Sequence, residues 1–563
     1  MPEPRPLPPS EHLPPYTRHM TCRDEALNQA EPPLRQAFVD DRPLREALRR
    51  EAPGLSPLVL TRLAELGTAV GSADTRALGF AANLHAPQLL THDPQGRRLD
   101  EVEYHPAYHQ LMRLALEGGW HSVAWEEEGH GGHQAHVAAL YLLTQAEPGF
   151  CCPITMTHAV WPALRQDEAL ATFWKPRLRA RAYDPLSRSP RDKHSAIFGM
   201  AMTERQGGSD VRTNLTRADA TADGYRLNGH KWFMSAPMSD AFLTLAQLDE
   251  GLTCFVIPRR REDGSHNGLQ LQRLKDKCGN RANASSEVML IDAQGQRLGE
   301  PGRGITTIIE MVHQTRLDAA TAPVALMRQA LVEALHHCQQ RHAFGQPLAR
   351  QPLMQQVLAD LALEVEAGIA LCLRIARQFD DAVADDEARP LARLAPAIAK
   401  YWHNRRSPGL LAEAMECLGG NGYIEEHLMA RLYREAPVNA IWEGSGNVLC
   451  LDVLRTLARY PQAGESLMAE LSAAGGQHHE YDTALAAFEH SRLLQEPEEA
   501  QARQLVQSLA VLWQAALLIQ HAPQPVADAF CATRLSGGIP GASGVSGLPR
   551  GMSSAQILSR VLP

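Results

Sequence analysis

The chain has 563 residues, 44% of them hydrophobic and 21% charged, with a formal net charge of −9. This is an ordinary globular composition with room for about three or four cores, and it excludes a global basic field that would hold nucleic acid non-specifically. The ten cysteines are scattered and only Cys151 and Cys152 are adjacent, so neither a zinc spacing nor a disulfide framework is indicated and no metal site is expected.

Residues 1–45 read as an extended arm, because repeated prolines fix φ and remove backbone donors. The arm carries Glu3 and Glu11 and lacks the apolar run of a signal peptide. No window approaches a membrane span, so a soluble, cytoplasmic protein without membrane contact is expected. Residues 46–195 space their apolar side chains by three and four, as in SPLVLTRLAELGTAVG and HVAALYLLTQA, which predicts helices. Between 196 and 300 the pattern changes to short segments such as YRLNGHKWFMS, DAFLTLAQL, TCFVIPRR and SEVMLIDA. They are bounded by Gly, Asn and Asp, the signature of antiparallel strands in a small barrel or sandwich. Helical spacing returns over 301–455, in runs such as QQVLADLALEVEAGIALCLRIARQF. Residues 456–563 form a further helical module ending in a Gly-rich tail.

Four stretches carry chemistry. Met200–Asp210, MAMTERQGGSD, offers the hydroxyls of Thr203 and Ser209 beside a flexible Gly207-Gly208 turn. GHKWFMS places Trp232 and Phe233 near the hydroxyl of Ser235. In MECLGGNGY, Gly419, Gly420 and Gly422 permit close backbone approach to a ligand. In YREAPVNAIWEGSGN, Glu443 follows Trp442 and precedes Gly444; a carboxylate beside apolar rings loses hydration, which raises its pKa and suits it to accept a proton. Taken alone, a Glu at a helix start is more often simply a capping or solvated charge.

With RHAFGQPL at 341–348, these motifs fall in the order found in the acyl-CoA dehydrogenase family, which the chain resembles closely over about 200–450. The resemblance implies an α+β, mainly α fold: an N-terminal helical domain, a central antiparallel β-barrel or sandwich, a C-terminal four-helix bundle, and here an extra helical module. It implies one FAD. Met202, Thr203 and Ser209 would contact the isoalloxazine and pyrophosphate, Phe233 would pack on the flavin, and Ser235 would bond near flavin N5, where the family usually has Thr. Gly419, Gly420, Asn439, Ser445 and Asn447 are assigned to the cofactor as well. Arg341 and Phe344 would reach the FAD of a partner subunit, which makes a homo-oligomer, in the form of a homotetramer, part of the expectation. Glu443 stands at the commonest position of the catalytic base. Thr315 stands where some relatives carry that base and cannot replace it; Arg316 matches an arginine that steadies the substrate. The implied reaction takes an α-proton from an acyl-CoA and passes the β-hydride to flavin. No GxGxxG opens a βαβ unit, which argues against a nicotinamide enzyme.

Within the family the chain resembles the AidB branch, the DNA-alkylation-response flavoproteins, through AWEEEGHGGH, CPITMTHA and RLKDKCGNRANASSEV. That branch implies weak dehydrogenation of short or branched acyl-CoA, protection against alkylating agents, and double-stranded DNA as a partner of the C-terminal region. Residues 456–563 hold six Arg, no Lys and nine acids, a net of −3 that offers little counterion release. The sequence leaves open whether Arg374, Arg377, Arg393, Lys400, Arg405 and Arg406 join them on one face. Glu416 and Asn447 stand where Gln is usual, which points to modest dehydrogenase activity. Two further readings are a metabolic short- or branched-chain acyl-CoA dehydrogenase and a non-catalytic DNA-binding shield with structural FAD.

Overall fold

A computed structural model of the protein describes residues 31–536, 548–549 and 551–562. Residues 1–30 of the expected arm and most of the Gly-rich tail lie outside the described residues. The rest of the arm docks. Ala37 N donates to Gly67 O at 2.9 Å, and buried Asp41 caps helix α1 (Arg42–Glu51) while also meeting Arg328 at 3.0 Å. Among the helices that follow are α2 (Gly132–Ala146), buried on every side, and α3 (Cys151–Ala159).

Seven strands come next: β1 (Phe198–Ala201), β2 (Arg217–Thr221), β3 (Gly224–Ser235), β4 (Ala241–Leu248), β5 (Gly251–Pro258), β6 (Leu269–Leu274) and β7 (Ser285–Leu298). The path β4-β2-β3-β7-β5 returns to β4, so the sheet closes and leaves few free edges. β4 and β5, AFLTLAQL and GLTCFVIP, are nearly continuous apolar runs because both their faces are buried. The expectation of a wholly antiparallel sheet needs one correction. β1 and β2 each pair with β4 in parallel, which the long excursion of chain between them permits.

The third layer is helical: α4 (Gly304–Gln340), α5 (Pro352–Ala384), α6 (Arg389–Cys417) and α7 (Gly446–Arg459) pack together as a bundle. In the extra module, α8 (Ala502–His521) lies on α5 and α6, and Trp402 donates to Gln514 at 2.9 Å. The stretch Glu499–His521 is long and apolar enough to cross a membrane by length and composition, contrary to the sequence reading. Its apolar character has another outlet, since most of it is buried against the bundle.

Candidate active site

Glu443 lies on the turn between a short helical segment at Ala436–Ala440 and the start of α7. Its φ is +57° and that of Gly444 is +101°, so two successive residues are left-handed. For a glutamate this costs about 1–2 kcal/mol, which the surroundings must offset. Arg316 Nε, from α4, donates to the Glu443 carbonyl at 3.1 Å, and Lys400 Nζ, from α6, donates to the Gly444 carbonyl at 2.8 Å. The Thr315 hydroxyl donates to Glu443 Oε2 at 2.7 Å. Burial raises the Glu443 pKa above the usual carboxylate value, opposed by Thr315, Lys400 and Arg316, while Asp318 adds to the rise. Burial lowers the pKa of Lys400, which Glu443 pushes back up.

Thr315, at the alternative base position, therefore steadies Glu443. Arg316 is buried, and its guanidinium also binds Asp452 at 2.5 Å, with Arg393 on the same carboxylate at 3.0 Å. Its contacts go to the turn that carries Glu443. Trp442 Nε1 donates to buried Asn439 at 3.1 Å, which fixes the ring beside Glu443.

The barrel supplies the other wall. Met202 and Thr203 follow β1 and are partly buried, and the Thr203 carbonyl accepts from Trp232 N at 2.8 Å. Phe233 is 50% exposed. Ser235 Oγ is 3.1 Å from Ser285 Oγ. Ser209 is exposed on the loop, where a Cβ on Gly207 would meet nothing within 4 Å and one on Gly208 would come within 2.4 Å of Thr203 Oγ1. Beneath this loop, fully buried Glu204 and Lys231 pair at 2.9 Å. Burial alone would raise Glu204, but Lys231 and the Thr216 hydroxyl hold it down at about 2. The Glu of MTERQGGSD and the Lys of GHKWFMS are thus one ion pair that joins the two motifs.

Cys152 links the walls. Burial pushes its thiol up to about 12, with Glu443 adding to the rise and Lys277, Asn283 and Ser235 opposing it, so it stays neutral. A half-exposed aromatic face, hydroxyls at Thr203, Ser209 and Ser235, and an open glycine turn fit a flat conjugated ring carrying phosphates.

Most of the remaining residues sit elsewhere, and Ser445 and Asn447 stay beside the Glu443 turn. Arg341 lies about 26 residues beyond Thr315, ~39 Å along α4, on a small hairpin whose tip, Phe344, is 95% exposed at φ +52°. Gly419 and Gly420 follow the end of α6, where a Cβ on either would meet nothing within 4 Å. Both belong to one end of the bundle, because Cys338 Sγ near the end of α4 lies 3.8 Å from the Cys417 carbonyl. Glu416 is exposed at the same end. Ser445 is exposed at the start of α7, and Asn447 accepts from Arg503 at 2.8 Å. The candidate residues therefore fall into two groups at separate places on the chain.

Sequence reasoning missed a buried histidine cluster next to Thr315. His136 Nε2 is 3.1 Å from both Asp318 oxygens, and the His136 ring stacks on His158 at 3.6 Å. Asp318 raises the pKa of His136 against its burial, whereas burial and the neighbouring imidazoles hold His158 low and neutral. One ligand atom from each of His136, His158 and Asp318 lies within 4.8 Å of the others, a grouping that could hold a metal ion where the sequence led to none being expected. HGGHQAH and MTHA were the available signal.

Residues 28–185 match the adaptive response protein AidB N-terminal domain, 199–293 the acyl-CoA dehydrogenase middle domain, and 302–458 the acyl-CoA dehydrogenase C-terminal domain. The Escherichia coli (strain K12) protein named "Putative acyl-CoA dehydrogenase AidB" is 44% identical over 501 residues, which cover 88% of this chain and 92% of that one. The chain belongs to the acyl-CoA dehydrogenase family. Within that family it is AidB-like, and the acyl-CoA dehydrogenase fold is shared along most of its length. Caenorhabditis elegans ACDH-11, solved in complex with C11-CoA, superposes with a TM-score of 0.82 at 29% identity, covering 92% of this chain and 95% of its own. A Bacillus anthracis acyl-CoA dehydrogenase complexed with FAD superposes with a TM-score of 0.60 at 19% identity over 76% of this chain and 80% of its own, a likeness of fold.

Proposed function

We propose that this acyl-CoA dehydrogenase family member is an FAD-dependent oxidoreductase that dehydrogenates an acyl thioester at its α and β carbons, with Glu443 as the base. The observation that carries the reading is the Glu443 turn: a carboxylate with a raised pKa that accepts from Thr315, on a turn whose two carbonyls are held by Arg316 and Lys400. Met202, Thr203, Ser209, Phe233 and Ser235 would hold FAD from one chain. Arg341, Phe344, Gly419 and Gly420 would complete the site from a second copy, which explains why they lie at the far end of the bundle. A homotetramer in the cytoplasm is part of this reading. The chemistry that FAD supplies when bound is acceptance of the β-hydride. Glu443 takes the α-proton onto Oε1 while Thr315 holds Oε2 in place. The C11-CoA bound by ACDH-11 supports a thioester as the donor.

Likeness to AidB extends the proposal to protection against alkylating agents, with weak turnover of short or branched acyl-CoA. Double-stranded DNA as a partner draws no support from the C-terminal module. There, Arg534 is buried against Asp360 and Glu364, Arg560 against Glu366 and Glu46, and Arg492 and Arg503 are engaged by Glu496 and Asn447.

Anaerobic addition of isovaleryl-CoA to the flavin-loaded protein tests the reading. Bleaching of oxidised flavin in wild type and its loss in Glu443→Gln is the expected result. No bleaching with any short, branched or medium-chain acyl-CoA at full FAD occupancy would overturn it, and duplex binding at varied salt would then decide for the DNA-binding alternative.

A further inference from the structure

Lys400 has a side chain that packing alone does not explain. It is 0% exposed in the middle of α6, where a methionine would fill similar volume without desolvating a charge. Its ammonium donates to a neutral acceptor, the Gly444 carbonyl. Arg316, from a different helix, does the same for the preceding carbonyl, that of Glu443. Two cations on two helices thus hold two successive carbonyls of a doubly left-handed turn. A hydrogen bond from a charged donor is about twice as strong as a neutral one.

The groups facing Glu443 are Arg316 and Asp318 from α4, Lys400 from α6 and Cys152 from α3. The Arg316 charge is shared with Asp452. Lys400 is the cation on the Glu443 turn that meets carbonyl oxygen without a paired carboxylate of that kind. On the reading of Glu443 as the base, we infer that Lys400 is its positioning residue, fixing the turn through the Gly444 carbonyl and favouring the ionised carboxylate by its charge. The side chain does not reach substrate in this role. It acts through the conformation and charge of Glu443.

The test uses the full-length, FAD-loaded protein and isovaleryl-CoA, comparing Lys400→Met, Lys400→Gln, Lys400→Arg and Glu443→Gln. Lys400→Met is expected to slow flavin reduction by about 10- to 100-fold with little change in KM. The acidic limb of its rate profile should move to higher pH, because removing a nearby positive charge makes the carboxylate harder to ionise. Lys400→Arg should keep the limb near that of wild type. Lys400→Gln, which retains a donor without the charge, should show the shifted limb with a smaller loss of rate. Hydrogen exchange in the 440–446 amides should quicken in Lys400→Met and less so in Lys400→Gln. A folded Lys400→Met or Lys400→Gln with the wild-type limb and wild-type exchange would overturn the inference, as would equal rate losses in Met and Arg variants without any shift. Full activity in Glu443→Gln would instead remove the base reading itself.

Discussion

The Glu443 turn and the C-terminal helices both bury cations, but they give them different partners. At the turn, Lys400 binds a backbone carbonyl and Arg316 is shared between a carbonyl and Asp452, while the neighbouring Glu443 keeps a free oxygen and a pKa that burial raises against both charges. In the module, Arg534 lies fully buried between Asp360 and Glu364 at 2.6 and 2.7 Å, and Arg560 meets Glu366 at 2.7 Å. Cations set against carbonyls leave an acid available for chemistry. Cations set against carboxylates cancel and become mortar. The same residue type thus builds a reactive centre in one place and a joint in the other, and the partner decides which.

The sharpest way to break this comparison is at the acid itself. Glu443→Gln should lower the thioester-dependent rate of flavin reduction by about 10²–10⁴-fold while leaving the melting temperature near that of wild type, read by stopped-flow and calorimetry. Arg534→Met should do the reverse. Removing this guanidinium from buried Asp360, and leaving Glu364 with Arg406, should destabilise the fold by about 3–5 kcal/mol in denaturant titration, with the rate per folded molecule unchanged.

A third site tests the rule where cations are too few. Glu435 and Glu147 are both buried around Arg431, and burial together with Glu147 pushes Glu435 up to about 7. Its folded pKa exceeds the unfolded value of 4.5. The extra stability is therefore fully present below that value and is lost as pH rises through about 7. Denaturation midpoints of wild type should fall across this window, and Glu435→Gln should flatten the fall. The smallest effect is expected at Thr315→Val. Loss of one hydrogen bond to the carboxylate should slow reduction by about 5- to 10-fold and move the acidic limb upward, since Thr315 favours the ionised form.

The order of helices, strands and helices was legible because each layer has its own apolar period. SPLVLTRLAELGTAVG became the helix Pro57–Val70, and DAFLTLAQL became β4. Closure of the barrel was not legible, since the β5 pairings with β4 and β7 depend on twist and register rather than on any local pattern. The reading that no window approaches a membrane span missed Glu499–His521, whose length and apolarity go with burial on α5 and α6. At the site, motifs located Glu443 and its turn, but the groups that tune it could not be read. Thr315 precedes Glu443 by 128 residues and Lys400 precedes Gly444 by 44. The basic residues of the module posed the same problem: the sequence left open whether its six arginines line one face, and the fold placed Asp360, Glu364 and Glu366 against two of them.

The joint at Arg560 has a consequence for how the protein is made. Glu366 on α5 precedes its partner by 194 residues and Glu46 by 514, and Arg328 on α4 donates to the carbonyl of Val561. At 5–20 residues per second, a growing chain carries Glu366 without its guanidinium for roughly 10–40 s. During that interval the seam between the first helix and the bundle must stay hydrated or hold a proton in place of the arginine. Arrival of Arg560, rather than docking of any middle element, is then the step that dries and closes this seam. A chain halted a few residues before Arg560 would keep every motif of the active site and still leave the nascent protein open to proteases along α1 and α5.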